Sequence, residues 1–296
     1  SGVITKNGNR YIHSYGVDNI FIGLNSGNFS MTSGYNIGVG TNTLGALTSG
    51  NQNIAMGYGS LSDNTLGNSN TAIGHLSMRY NTIGNYNTAF GNRCLFWSTT
   101  GNDNTAIGYQ TLHNSTTGSY NTATGYRSLY SNTTGSYNTA IGNQSLYSNT
   151  TGIENTAVGF ESLIFNVTGR DNSALGFRSS FNNNNGSLNV GIGFFSLYSN
   201  TIGSENTAVG TGSLELNLSG YNNTAVGRSS MYNNTTGFNN TAIGYDAGRT
   251  TTTGNNLTLL GNNSQPSSGT ATNQITLGNN QITSLRCNVQ TITSLS

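Results

Sequence analysis

The chain has 296 residues, only 6% of them charged and 33% hydrophobic, with 41 glycines and a single proline, Pro266. So little charge beside so little apolar material fits neither an enzyme-like globular core nor the highly charged kind of disordered chain. The net charge of +1 comes from scattered groups, so no basic stripe offers nucleic acid a counterion-releasing face, and no apolar run approaches a membrane span.

Residues 1–16 read as an N-terminal connecting segment. The start at Ser1-Gly2-Val3, with neither an initiator Met nor a visible signal peptide, is read as the start of a fragment or processed product. From residue 17 a single period takes over. A glycine recurs at Gly23, Gly40, Gly57 and every seventeenth residue to Gly278, sixteen glycines without a slip. A second glycine column, seven residues earlier, runs from Gly50 to Gly254, and an Asn column, four residues earlier, runs from Asn19 to Asn240. A 17-residue unit with two glycines is too short for a helix pair, and Asn, Thr and Gly are poor helix formers. Residues 17–261 are therefore predicted to be an all-β, parallel β-solenoid (a β-roll) of 17-residue coils.

Within each coil, Thr-Ala-Ile reads as one strand and Ser-Leu-Tyr as a second, with turns between them. At ~4.8 Å per coil, fifteen intervals make a rod on the order of 70 Å long. The apolar residue before each repeat glycine (Ile107, Ile141, Ile243) and the Leu four residues after it (Leu112, Leu129, Leu146) are assigned to the interior. The Ala column (Ala106, Ala140) is read as a place of close approach by backbone or a neighbouring subunit. The Asn column should form a ladder in turns, with a left-handed backbone, and the glycines should occupy positive-φ positions. Thr124 is the polar member of the Ile column, so its hydroxyl is expected to find a backbone partner. Such a coil encloses little apolar volume, which predicts self-association, preferably three-fold. Residues 262–296 read as an atypical last coil and a C-terminal trimeric stem, in which Ile-Thr-Ser-Leu occurs at Ile282 and again at Ile292.

The Asn-Thr-Ala-Ile-Gly repeats resemble the head repeats of trimeric autotransporter adhesins, and are similar in style to repeats of phage and giant-virus tail fibres. The resemblance covers residues 17 to about 261 and implies a left-handed, homotrimeric roll. The coil departs from the family in being longer than the usual adhesin-head coil, so loop shape and subunit contacts do not carry over. The C-terminal stretch resembles the stem before an endosialidase-type intramolecular chaperone, a family that cuts itself after a serine. Leu295-Ser296 stands where that cut would fall, which makes Ser296 the expected processing residue.

Little in the sequence points to catalysis. His13, His75 and His113 have no acidic or Cys residue at ligand spacing, so no metal or other cofactor is expected. Asp18, Asp103, Glu154, Asp171 and Glu205 share the column five before the repeat glycine, and of these Glu154 and Asp171 lie in adjacent coils, so they read as solvated turn residues rather than a catalytic pair. Glu161 and Arg178 share a column on adjacent coils and should form an exposed ion pair. Cys94 reads as a small packing residue. Asn132-Thr133-Thr134 and Asn149-Thr150-Thr151 match a glycosylation triplet that this composition produces by chance. Two aromatic columns stand out, one and five residues after the glycine. They read first as stacked ladders, and secondarily as a glycan-facing stripe, with Phe96, Tyr130, Tyr147 and Tyr198 as candidate ligand-binding residues.

The expected function is structural: a trimeric tail-fibre shaft of a virus or phage, extracellular on the virion surface, self-associating, and contacting a host-surface receptor such as a glycan. The alternatives are a bacterial autotransporter-type surface adhesin and an ice-binding solenoid. The latter is disfavoured because Thr133-Thr134 and Thr150-Thr151 are neighbours that point to opposite sides.

Overall fold

The computed structural model describes residues 2–284. Ser296, the second Ile-Thr-Ser-Leu and Cys287 lie outside the described residues. The fold is an all-β parallel solenoid whose strands form one 18-stranded sheet. The strand of nearly every coil is three residues long, centred on the Ala of Thr-Ala-Ile, and pairs in parallel with the strands seventeen residues before and after. Thr139–Ile141, Thr156–Val158 and Ser173–Leu175 are successive members. The stack continues beyond residue 261 into Thr272–Leu277.

The period is as read, but the faces of the strand are exchanged. Ala106 and Ala140 are fully buried, whereas Ile107, Ile141 and Ile243 are 40–44% exposed. The phase is set two residues earlier: the Asn of each coil points inward, so alternation sends Thr out, Ala in and Ile out. A one-residue change of phase moves every side chain to the other face. The interior is narrow, and it closes with Ala opposite the buried Leu column. Thr124 stacks between Ile107 and Ile141 as expected. Its side chain faces outward, however, and its hydroxyl makes no hydrogen bond among the described residues.

The expected second strand is absent. Ser-Leu-Tyr lies in a run of turns, 143–148, in which Leu146 has φ +50° and Gln144 φ +54°. Left-handed backbone costs ~1 kcal/mol or more at a residue with a side chain. Here it lets alternate N–H groups reach the coils on either side: Gln144 N–H donates to Tyr126 O (2.9 Å) and Leu146 N–H to Ser162 O (3.0 Å). The hydrogen-bond ladder therefore continues beyond the three residues that look like strand.

The Asn column forms the expected ladder. Asn138 donates from N and Nδ2 to Asn121 Oδ1 (3.0 and 3.2 Å), and from Nδ2 to Gly152 O (2.9 Å). The left-handed position is the residue before it, such as Tyr137 at φ +61°, and not the Asn itself. A second buried ladder, absent from the sequence reading, runs through the Asn of Asn-Thr-Thr: Asn149 Nδ2 donates to Asn132 Oδ1 (2.9 Å) and Asn166 Nδ2 to Asn149 Oδ1 (2.9 Å). Both Asn132 and Asn149 are fully buried, which takes these triplets out of reach of a modifying enzyme in the folded chain. The signal was present in the unbroken 17-residue recurrence of Asn from Asn132 to Asn234. Where Ser98 and Ser115 interrupt this ladder, their hydroxyls and Asn81 Oδ1 are buried without partners.

The two glycine columns have different causes. Gly142 has φ +135°, as expected of its column. Gly135 does not; a Cβ there would collide with the carbonyl oxygen of Gly152 and with Asn132 Oδ1, so its requirement is space.

Ahead of the solenoid, β1 (Ile4–Lys6) and β2 (Asn9–His13) form a hairpin, and β2 pairs antiparallel with the first coil strand, β3 (Ile20–Ile22). The hairpin occupies the edge that would otherwise expose unpaired backbone. His13 is buried within it. Its ring stacks on Phe29 at 4.7 Å, Nε2 donates to Ser26 O (2.7 Å), and Nδ1 accepts the Tyr15 N–H (3.3 Å). Burial pushes its pKa down, and the nearby Arg10 adds to this, against the opposing Ser26 bond.

Candidate interaction surfaces

Because the coils are alike, the outward side chains form lengthwise columns, and any functional surface must be built from these. The flat sheet face carries a Thr column (Thr105, Thr139) beside the aliphatic column (Ile107, Ile141). Residues five before the repeat glycine run along one long edge of this face. Residues one and two after the glycine run along the other.

The second edge is aromatic. Tyr109 stacks on Tyr126 (5.5 Å), Phe160 on Phe177 (5.2 Å), and Phe177 on Phe194 (5.3 Å). Next to it lies the ladder containing the four candidate residues. Phe96, His113, Tyr130 and Tyr147 stack in sequence at 5.1–5.2 Å with planes within 13° of parallel, and Phe181 stacks on Tyr198 at 5.0 Å. The four candidates are half-buried, and within a ladder each ring presents its edge rather than a free face to solvent. Sugar stacking needs a free face. This geometry therefore favours the ladder role for the central rings.

Arginines lie over these rings. Arg127 sits 5.2 Å from Tyr126 and 5.4 Å from Tyr130, and Arg178 5.3 Å from Phe177 and 5.1 Å from Phe181. Arg178 Nε also donates to Glu161 Oε2 (2.6 Å), the anticipated intercoil pair, which is half-buried rather than exposed. Arg93, Arg127 and Arg178 recur at multiples of seventeen, a charge column that the sequence reading did not collect.

The opposite edge carries the acidic column. Glu154 and Asp171 neighbour each other there, and the hydrogen bond and charge of Asp171 hold the Glu154 carboxyl above the usual carboxylate range. His75 stacks on Tyr58 (5.5 Å), and His113 Nδ1 lies 2.8 Å from Asn114 Oδ1, with burial lowering its pKa. Cys94 is buried in a column held mostly by Ser, with Thr43 and Thr111 among its members, and its thiol donates to Gly108 O (3.0 Å); burial pushes its pKa up. Among the described residues, no group of three or more His, Cys, Asp or Glu side chains could hold a metal.

No family model, curated protein or solved structure matches the chain.

Proposed function

We propose that this chain is the rigid, non-catalytic shaft of an extracellular viral or phage fibre, working as a parallel, left-handed homotrimer that bears a host-attachment surface. The observation that carries the self-association is the exposed aliphatic column. Phe90 (55% exposed), Ile107, Ile141, Leu175 (49%) and Ile243 lie along one flat face of the rod. Monomers seldom expose so continuous an apolar stripe. A stripe that repeats at every coil but that of Thr124 is matched along its length by a partner with the same axial repeat, and a second copy of the chain has one. The fibre role and the receptor rest on the resemblance of the repeats to tail-fibre and adhesin-head sequences.

Light scattering on the purified chain tests the assembly: the expected mass is three times that of one chain, and a stable folded monomer at micromolar concentration refutes it. Binding of the labelled rod to candidate host cells, with and without glycosidase treatment, tests the attachment role.

One observation favours the ice-binding reading. The strand Thr column, unlike Thr133-Thr134, does face outward in a regular array on the flat face. The two readings compete for the same face, since a trimer would cover it. A monomer that shows thermal hysteresis selects the second reading.

A further inference from the structure

The two long edges of the sheet face carry opposite unneutralised charge. On the edge before the strand, Asp103, Glu154 and Glu205 are exposed and have no ion-pair partner among the described residues, while Asp171 has only Arg170 at 4.0 Å. On the edge after the strand, the acidic groups already have partners within the chain. Glu161 has Arg178 (2.6 Å), Asp246 has Arg249 (3.0 Å), and Glu215 accepts the Tyr232 hydroxyl (3.1 Å). That leaves Arg93, Arg127 and Arg228 on this edge with no carboxylate within ion-pair distance among the described residues.

The charges lie near one another in height without being level. Counting coils from one repeat glycine to the next, Asp103 and Arg93 belong to the same coil. Glu154 lies one coil above Arg127, Asp171 one coil below Arg178, and Glu205 two coils below Arg228. In a closed ring of parallel chains there is no axial shift between copies, so these acids and arginines approach one another to within two coils, roughly 10 Å or less along the axis.

We propose that the acidic edge of one copy docks against the arginine–aromatic edge of the next, closing the ring head to tail with the aliphatic sheet faces turned toward its axis. The occupant of each edge is a second copy of this chain. Adjacent carboxylates such as Glu154 and Asp171 repel one another in a lone chain, and an arginine from the neighbouring copy relieves that repulsion. This inference rests on the trimer reading.

Two edge variants test it. The first is Asp103→Lys, Glu154→Lys, Asp171→Lys and Glu205→Lys together; the second is Arg93→Glu, Arg127→Glu and Arg228→Glu together, sparing the paired Arg178. All of these side chains face outward, and circular dichroism checks that each variant keeps its fold. Native mass spectrometry at low salt should show loss of the trimer for each variant alone. A chain carrying both sets should recover the trimer while excluding wild-type chains from it. A wild-type trimer whose edge variants assemble as well as wild type refutes the edge pairing and leaves the trimer standing. A wild-type chain that assembles as a dimer refutes the closed three-chain ring in favour of a two-fold contact. A wild-type monomer refutes the trimer reading itself.

Discussion

Replacing Asn138 by Ala removes one rung from the middle of the first ladder, and the consequences can be counted. Asn138 Nδ2 loses its bonds to Asn121 Oδ1 and Gly152 O, and Oδ1 no longer accepts from Asn155 N (3.0 Å) and Asn155 Nδ2 (3.1 Å). Most of the abandoned groups keep another partner: Gly152 O still accepts from Asn149 Nδ2, and Asn155 Nδ2 still donates to Gly169 O. The Asn155 N–H keeps none. A buried orphaned donor costs about 1–3 kcal/mol, and the lost bonds and vacated volume bring the expected destabilisation to about 3–5 kcal/mol. Native-state hydrogen exchange reads this locally: the Asn155 amide should exchange at least about 100-fold faster, at roughly 1.4 kcal/mol per decade. Asn138→Asp sharpens the test. An ionised carboxylate still accepts from Asn155 but cannot donate to Gly152 O, and it faces Asn121 Oδ1. Burial raises the pKa of such a group, so its cost should be greatest at neutral pH and shrink as the pH falls and the acid takes up a proton. The exposed Thr134→Ala should stay within about 0.5 kcal/mol of wild type. If Asn138→Ala is as mild as Thr134→Ala, the ladder is not what holds the coils together.

Joining the interrupted second ladder with Ser98→Asn and Ser115→Asn should give Asn81 Oδ1 a donor and raise the urea midpoint; an unchanged or lowered midpoint means that those coils do not share the backbone of their neighbours. Gly142→Ala puts a side chain at φ +135° with its Cβ against the Gly159 carbonyl, so it should abolish the cooperative thermal transition seen by circular dichroism, and a melting curve like wild type contradicts the close stacking. The N-terminal hairpin should loosen in acid. His13 has a folded pKa below its ordinary value, so the unfolded hairpin binds the proton more readily, and the stability present above about pH 6.5 is lost as the pH falls below it. Proteolysis of residues 1–16 should accelerate over that range, and His13→Gln should remove the pH dependence; cleavage independent of pH in wild type counts against it.

The period, the absence of helices among the described residues, the Leu column in the interior and the first Asn ladder were all legible in the sequence, because a repeat without a slip forces equivalent residues onto one line along the rod. The intercoil pair of Glu161 and Arg178 followed from the same arithmetic. Which side of Thr-Ala-Ile faces inward was not legible. Hydrophobicity alone points Ile inward, but the strand is only three residues long. Its phase is fixed by the inward Asn two residues before Ala and by an interior that closes with Ala opposite Leu. The left-handed Leu and Gln positions were hidden for a related reason. Propensity argues against positive φ at such residues, and only hydrogen bonding to the coils on both sides offsets the cost. The charged edges show both halves at once: the sequence placed Asp103, Glu154 and Arg127 at their heights along the rod, while the tertiary structure, by turning each coil through the same corners, decided that the acids and the arginines lie on opposite sides of one exposed apolar face.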